Sequence, residues 1–217
     1  MARTWLSIRV DLIAGHGEEL WPRPGRLFAA ARSHTFAQLA TAIDDAFARW
    51  DRSHLHEFTR ADGYRLGIPS GEDWDPDHLL DYERVTLGRL SLGEQFAYVF
   101  DFGDNWQHLC TVRPRRIDPL QTLGIVPDHP LPYFGWGDIP DQYRRRWDSD
   151  DGESPPPRKP KHPHLPPLLR DWGEGLPSSL RRRSARQRVP CPMRKGLRHE
   201  WRRTSAPRGG LGARTVR

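Results

Sequence analysis

Cysteine is nearly absent from this 217-residue chain, which contains only Cys110 and Cys191. Two cysteines so far apart in the sequence provide neither a disulfide framework nor a CxxC metal cluster. The chain also lacks any apolar run near the ~18 residues of a membrane span. Residues 1–11 contain no continuous apolar segment of the kind found in a signal peptide. We therefore expect a protein of a reducing compartment, located in the cytoplasm and without a membrane partner.

The short motifs of common catalytic folds are also missing. The sequence contains no P-loop and no G-x-S-x-G nucleophile elbow. Asp101, Phe102 and Gly103 spell the metal-binding tripeptide of protein kinases, but no glycine-rich loop, strand lysine or HRD motif accompanies them. These absences exclude a kinase and leave the sequence without a complete catalytic motif.

The positive charge of the chain is concentrated at its C-terminus. The full sequence has a net charge of +6, but residues 176–217 contain 13 of the 34 lysines and arginines and a single acid, Glu200. The first 175 residues hold 21 basic and 27 acidic residues, a net charge of −6. The sequence predicts a mildly acidic α+β domain over residues 1–175 and a disordered, arginine-rich tail over residues 176–217.

Several short runs predict strands. Alternating or extended apolar runs occur at residues 6–12, 27–31, 54–58, 64–68, 96–100 and 106–112. The turn residues Asp62 and Gly63 join the third and fourth runs into a hairpin, and residues 102–105 join the last two. Residues 85–92 fit either a strand or a loop. These runs predict a small mixed or antiparallel sheet.

One amphipathic helix is predicted to pack on this sheet. Thr35 and Gln38 match a capping box at its start. Apolar residues then recur at three- and four-residue spacing, at Phe36, Leu39, Ala40, Ile43, Phe47 and Trp50. On another face, Asp45 and Arg49 are spaced as an i,i+4 ion pair.

Proline is abundant in the C-terminal part of the domain. Of the 21 prolines, 14 lie between Pro114 and Pro177, which argues against long regular elements there. Aromatic residues nevertheless continue through this stretch. We therefore expect an irregular proline-rich segment wrapped over the domain, with residues 148–161 as its mobile part.

Two stretches carry a family resemblance: FAYVFDFGDNWQHLCTV at residues 96–112 and AIDDAFARWDRSHLHEF at residues 42–58. They resemble the plasmid pRiA4b ORF-3-like family, and the likeness extends over about residues 5–172. The resemblance implies an α+β fold and a genomic setting on plasmids or beside insertion elements, more than an activity. Some relatives are labelled as transposon resolvase accessories. This sequence shows no catalytic-serine context of a resolvase, so we do not predict strand cleavage.

The family resemblance is uneven toward the C-terminus. PYFGWGDIPDQY at residues 132–143 resembles a feature of one subgroup, and residues 176–217 match no part of the family pattern. Arginine, proline, glycine and serine dominate this tail, as translation of a GC-rich gene in the wrong frame would produce. We hypothesise that the tail is a frameshift product that begins near Gly175. The hypothesis fails if neither of the other two reading frames continues with a family-like end.

Carboxylates and imidazoles form a candidate catalytic site. The set comprises Asp101, Asp104 and His108 in one predicted hairpin, and His54, His56 and Glu57 on a neighbouring run. Such groups in one cleft suit general acid–base chemistry or a divalent metal, with His56, Asp104 and His108 as candidate ligands. The simpler explanation is structural, because Asp and Gly are ordinary turn residues and a His beside a Trp on a strand is often only packed. We favour that explanation and predict no cofactor.

Aromatic and basic residues lie together near the end of the domain. They form a candidate binding surface that comprises Tyr133, Phe134, Trp136, Tyr143, Arg144, Arg145, Arg146 and Trp147. Arginine beside Tyr and Trp can bind phosphate and stack on bases. The alternative, which we favour for the arginines, is a solvated turn neutralised by Asp148, Asp150 and Asp151.

Three hypotheses of function follow from these features. The leading one is a non-enzymatic accessory or adaptor module that contacts an unknown protein partner through the aromatic segment Tyr133 to Trp147 and the DFGD hairpin at residues 101–104. The second is a metal-assisted hydrolase built on Asp101, Asp104, His108 and His56, which requires those groups to converge. The third is nucleic-acid binding through the basic tail, because an arginine-rich segment binds polyanions.

Overall fold

An open nine-stranded sheet dominates the fold in a computed structural model that describes residues 4–69, 79–161 and 163. The strands are β1 (Trp5–Gly15), β2 (Glu18–Glu19), β3 (Gly25–Ala31), β4 (His56–Arg60), β5 (Arg65–Gly67), β6 (Leu79–Asp81), β7 (Gln95–Phe100), β8 (Trp106–Val112) and β9 (Leu131–Trp136). Two α-helices, α1 (Phe36–Ala46) and α2 (Pro119–Leu123), and a 3-10 turn at Leu87–Arg89 accompany the sheet in these residues.

The sheet is mixed and largely antiparallel. Its strand order is β6-β5-β4-β7-β8-β1-β3-β9, with β2 paired to β1 outside this row. The described pairs are antiparallel except β5 with β6, which are parallel. The domain is therefore an α+β structure in which the sheet predominates.

The six predicted runs form β1, β3, β4, β5, β7 and β8, whereas β2, β6 and β9 were not predicted. β1 is an interior strand of the sheet, between β8 and β3. Its apolar residues Leu6, Ile8, Val10 and Leu12 are completely buried, and each such side chain contributes roughly 1.5–3 kcal/mol. Both predicted hairpins are confirmed, since β4 pairs with β5 and β7 pairs with β8. The ambiguous residues 85–92 contain the 3-10 turn.

The capping box at the start of α1 forms as predicted. The Thr35 hydroxyl accepts a hydrogen bond from the Gln38 N–H at 3.2 Å, and the Gln38 side chain accepts one from the Thr35 N–H at 2.9 Å. Phe36, Leu39 and Ile43 of the helix are completely buried in the core cluster shared with the sheet. The apolar stripe of α1 therefore covers one face of the sheet.

Helix α1 ends earlier than the apolar spacing predicts. It stops at Ala46, and Ala48 has a φ of 58°, so the chain leaves helical geometry there. Arg49 is completely buried as a result, and Asp45 pairs with Arg52 instead. The predicted Asp45–Arg49 pair is wrong because the i,i+4 relation holds only while the helix continues.

The proline-rich part contains only short elements among the described residues, α2 and β9. β9 pairs with β3 at the edge of the sheet, so residues 131–136 extend the sheet instead of lying over the domain as predicted. From residue 137 to residue 161 the chain is irregular. No helix in the described residues is long and apolar enough to cross a membrane. The predicted tail, residues 176–217, lies outside the described residues.

Candidate functional site

Asp101 shapes the turn between β7 and β8. Its φ is 57°, and its Oδ1 accepts hydrogen bonds from the backbone N–H groups of Gly103 at 2.9 Å and Asp104 at 3.3 Å. Its Oδ2 lies 3.2 Å from His54 Nδ1. This is the Asx-turn geometry by which an Asp side chain stabilises a left-handed backbone. Asp101 therefore holds the turn and links it to the segment before β4.

Asp104 pairs with His16, which lies in the turn between β1 and β2. Asp104 Oδ1 lies 3.2 Å from His16 Nδ1, and the Asp104 carbonyl accepts a hydrogen bond from the His16 N–H at 2.7 Å. The other ring nitrogen, Nε2, lies 2.8 Å from the carbonyl oxygen of Gln142. The imidazole of His16 thus bridges the Asp104 turn and the C-terminal segment.

A hydrogen-bond network joins the segment before β4 to Tyr143. The Tyr143 hydroxyl donates to Asp51 Oδ2 at 2.7 Å and lies 2.8 Å from His54 Nε2. Hydrogen bonds from Ser53 and then from Tyr143 hold the pKa of the Asp51 carboxyl below its usual range. Partial desolvation and the bond to Asp51 raise the pKa of Tyr143 to about 12. The phenol therefore stays a neutral donor to an ionised carboxylate.

Four large apolar side chains are exposed around this network. Trp50 is 50% exposed, Leu55 57%, Phe102 54% and Tyr143 39%. The rings of Trp50 and Tyr143 meet edge to face, with centroids 5.1 Å apart. Phe102 follows Asp101, whose N–H donates to the Leu55 carbonyl at 2.9 Å. We call Trp50, Leu55, Phe102 and Tyr143 the apolar patch.

The three arginines of the predicted binding surface are paired within the domain. Arg144 pairs with Glu18 at 3.2 Å, Arg145 with Asp141 at 2.7 Å and Arg146 with Asp150 at 2.8 Å. The Arg145 guanidinium also lies 4.8 Å from the centroid of the Trp50 ring. A depression of about 410 Å³ lies between this run and the Trp50–Tyr143 pair. Carboxylates that already engage the arginines reduce the charge available to a phosphate.

The aromatic residues of that predicted surface are divided among different environments. Tyr133, Phe134 and Trp136 lie on β9, and the Tyr133 hydroxyl is 2.7 Å from Ser7 Oγ on β1. Trp147 is buried, so its ring is not available to a partner. The structure therefore brings Tyr143 to the apolar patch and places the other four aromatic residues elsewhere.

A cavity of about 350 Å³ lies beside the C-terminal end of α1. Its lining comprises Thr41, Asp44, Asp45, Arg52, His56, Tyr82 and Phe100, and we call it the α1 pocket. Arg52 reaches both acidic residues of the helix end: its Nη1 lies 3.2 Å from Asp44 Oδ2, and its Nη2 pairs with Asp45. Arg52 thus ties the segment before β4 to α1.

Asp44 is a carboxyl buried between α1 and the sheet. It is 2% exposed, and its Oδ1 accepts a hydrogen bond at 2.8 Å from the hydroxyl of Tyr98, a fully buried residue of β7. Burial raises the pKa of Asp44 to about 7, against the opposing effects of the Tyr98 bond and the Arg52 charge. Asp44 is therefore a group whose charge changes near neutral pH.

The candidate metal ligands do not converge. His108 packs edge-on against Phe47, with centroids 4.9 Å apart, and burial lowers its pKa to about 3. His56 lines the α1 pocket, whereas Asp101 and Asp104 face other histidines. Within residues 4–69, 79–161 and 163, no group of three or more His, Cys, Asp or Glu side chains could hold a metal ion. The residues present therefore do not fit the divalent metal considered above.

Arg49 is a buried cation at the same end of α1. Its guanidinium lies 3.7 Å from the centroid of the Trp106 ring. None of its three side-chain nitrogens has a hydrogen-bond partner among the described residues. Burial lowers the pKa of Arg49 to about 10, and the charges of Asp44 and Asp141 oppose that effect. Arg49 stays charged at neutral pH, so this interior contains an ionised group.

Comparison with known proteins matches residues 7–123 to the family model of plasmid pRiA4b ORF-3-like proteins, which is more than half of the 217 residues. The chain belongs to the plasmid pRiA4b ORF-3-like family. No curated protein matches it. Among solved structures, the protein of unknown function MM3350 from Methanosarcina mazei Go1 is similar, with 19% sequence identity and a TM-score of 0.46 over 63% of this chain and 70% of that one.

The pRiA4b ORF-3-like region contains most of the polar groups of the candidate site. Residues 7–123 include the α1 pocket, the turn at residues 101–104 and three members of the apolar patch. Tyr143 and the arginine run lie beyond the matched residues. The family description names no activity, and the similar structure is described as a protein of unknown function.

Sequence reasoning missed Asp44, Arg49 and Arg52, although a signal existed for one of them. Asp44 follows Ile43 and lies four residues after Ala40, at the edge of the apolar stripe of α1. A carboxyl at that position is either exposed to solvent or paired, so its position in the sequence makes it a candidate functional residue. Arg49 and Arg52 carry no comparable pattern, because their positions depend on where the helix ends.

Proposed function

We propose that this domain is a non-enzymatic accessory module that binds a partner protein through the apolar patch and the turn at residues 101–104. The observation that carries the proposal is the exposure of Trp50, Leu55 and Phe102, each at least half exposed. Grouped exposed apolar side chains are typical of protein contact sites. Trp, Tyr and Arg, which meet here as Trp50, Tyr143 and Arg145, are the residues that most often dominate binding energy at such sites.

The polar network beneath the patch supports this proposal because it fixes the patch before a partner arrives. Tyr143 is bound to Asp51, and His54 lies between Asp51 and Asp101. The segment before β4, the β7–β8 turn and the C-terminal segment are therefore connected into one frame. A surface ordered in advance loses less conformational entropy on binding.

The charges of the domain favour a protein partner over a nucleic acid. The arginines at 144–146 are each engaged by a carboxylate, and the first 175 residues have a net charge of −6. Nucleic-acid affinity depends on free basic groups that replace counterions on phosphates. The family name connects such proteins with plasmids, so we infer a partner encoded in the same mobile-element setting.

A metal-assisted hydrolase has less support, because its candidate ligands do not meet. The decisive assay is turnover of a nucleotide or phosphoester with and without a divalent metal. We expect none from the purified chain. Metal-dependent turnover that is abolished by Asp104→Ala would overturn the accessory proposal.

Photo-crosslinking tests the patch directly. A photoreactive phenylalanine analogue replaces Phe102 in the full chain, and in a matched control it replaces Ile125, which is 52% exposed and outside the patch. We expect one protein encoded near this gene to be crosslinked from position 102 and not from position 125. Its affinity, measured with purified proteins, should fall at least about tenfold in Trp50→Ala, as at an interface hot spot. Equal crosslinking at both positions, or unchanged affinity in Trp50→Ala, would reject the proposal.

A salt series with DNA and RNA separates the nucleic-acid alternative. Binding of the full chain that falls steeply with salt and shows no sequence preference is what a polycationic tail produces. Binding with a shallow salt dependence that is lost in Trp50→Ala would instead make the patch a nucleic-acid site, and the proposed protein partner would be wrong.

A further inference from the structure

The α1 pocket connects a buried carboxyl to the segment that carries half of the apolar patch. Asp44 Oδ2 lies 3.2 Å from Arg52 Nη1. Arg52 belongs to the irregular stretch between α1 and β4, and Trp50 and Leu55 lie on either side of it in the sequence. The Asp44–Arg52 ion pair therefore links the interior of the domain to the loop at residues 47–55, whose first three residues are buried and whose residues 50–55 lie at or near the surface.

The two oxygens of Asp44 have different partners, and only one partnership depends on charge. The Tyr98 hydroxyl donates to Oδ1, and a hydroxyl can do so whether the acid is ionised or neutral. The Arg52 guanidinium faces Oδ2 and donates a hydrogen bond to it at 3.2 Å. When Asp44 is neutral, the attraction between the two charges is lost, and a proton on Oδ2 also removes this hydrogen bond. The remaining partner of Arg52, Asp45, is 69% exposed, and an exposed ion pair contributes only about 0–1 kcal/mol.

We propose that the Asp44–Arg52 ion pair is a proton-controlled latch: protonation of Asp44 releases Arg52 and loosens the loop at residues 47–55. The latch deepens the proposed function, because that loop carries Trp50 and Leu55, and its consequence for binding rests on that function. The latch itself is a property of the chain alone. It is closed above about pH 7, where Asp44 is ionised, and open below.

The charge change that controls the latch belongs to Asp44 and not to the groups that face it. They are Asp45 and Arg49 at the helix end, Arg52 of the loop, Tyr98 of β7, and His56 and Tyr82 on the pocket wall. Burial raises the pKa of both tyrosines, which stay neutral. Burial lowers the pKa of His56 and so favours its neutral form, and Arg49, with a pKa lowered to about 10, stays charged.

Amide hydrogen exchange of the full chain, without a partner, tests the latch. Exchange rates at residues 50–55 are compared between about pH 6 and about pH 8 after correction for the intrinsic pH dependence of exchange. We expect protection of these amides to be about tenfold higher at the upper pH, as one ion pair of roughly 1.4 kcal/mol requires. Amides of β1 should show no such gain: they report global unfolding, whose free energy falls as Asp44 ionises.

Matched variants distinguish the latch from other causes. Asp44→Asn and Arg52→Gln remove the same ion pair from its two sides, and both should abolish the pH response of residues 50–55. Asp45→Asn removes the exposed partner of the same Arg52, and His54→Gln removes another tether of the loop; both should keep the response. An absent response in the unsubstituted chain, or an unchanged response in Arg52→Gln, would overturn the latch. A normal response with no patch-dependent partner would instead reject only the proposed function.

Discussion

The two ends of helix α1 pack on the same face of the sheet, but the side chains buried at the two ends differ in chemical character. At the N-terminal end, Phe36 meets Phe58 and Phe96 edge to face, with centroids 5.2 and 5.9 Å apart. At the C-terminal end, Asp44 and Arg49 are both buried. Hydrophobic burial and aromatic packing account for the first end. The second end costs free energy, because it removes ionisable groups from water.

This difference distinguishes residues that stabilise the fold from residues that could serve a function. Buried apolar residues hold α1 on the sheet along its length, from Phe36 to Ala46, and the N-terminal end relies on them without buried charges. The polar end contains the α1 pocket, and through Arg52 it reaches the loop that bears the exposed Trp50. Proteins that break the rules of core packing usually do so at functional sites. A change at the polar end should therefore alter the pH dependence of stability and, through the loop that bears Trp50, the proposed binding.

The largest expected effect is at the apolar end. Phe36→Ala removes a completely buried ring, and we expect a loss of about 3–5 kcal/mol in the free energy of unfolding. The loss should be similar at about pH 6 and about pH 8, because the neighbouring rings do not titrate. Urea denaturation measures it, with exposed Leu120→Ala as a control within about 0.5 kcal/mol of the unsubstituted chain. A loss below that of the control would show that this end is not the stabilising core.

At the polar end we expect the free energy of unfolding to depend on pH through Asp44. Burial raises the folded-state pKa of Asp44 to about 7, so its contribution to stability is complete below its unfolded pKa of about 3.9 and is lost as pH rises through 7. As the pH rises from about 5 to about 8, ionisation of Asp44 should lower the free energy of unfolding of the unsubstituted chain by roughly 2–3 kcal/mol. Asn does not titrate, so Asp44→Asn should remove this part of the pH dependence of unfolding, whereas Asp45→Asn should keep it. Parallel stability curves for the chain and Asp44→Asn would mean that Asp44 is ionised at little cost.

The apolar end could be predicted from the sequence because its signals are local. The capping box of Thr35 and Gln38 and the spacing from Phe36 to Ile43 both predicted α1, and the structure contains them. The end of the helix could not be predicted in the same way. Neither glycine nor proline marks the turn at Ala48, whose φ of 58° is set by tertiary packing, so the apolar spacing wrongly extended the helix to Trp50.

The sequence could predict several residues of the candidate site, but it could not predict which of them pair with each other. The turn at residues 101–104 is identifiable from its composition, yet Asp104 pairs with His16, which directly follows β1. The strand order of the sheet is what places β1 next to β8. Likewise, Tyr143 bonds to Asp51 across 92 residues of sequence. Sequence periodicity records which face a residue occupies and not which strand lies beside it.

A small gain in stability is expected when the buried cation of the polar end is removed. Arg49→Met replaces a buried cation without side-chain hydrogen bonds by an apolar chain of similar length, and such replacements are often neutral or stabilising. We expect the free energy of unfolding to rise by about 1 kcal/mol at about pH 6, where Asp44 is largely neutral and does not need the cation. Arg60→Met is the control: Arg60 is paired with Glu94 at 3.0 Å, so its loss should lower stability. If Arg49→Met is also destabilised, then Asp44 and Asp141 compensate the buried charge, and the polar end contributes to folding as the apolar end does.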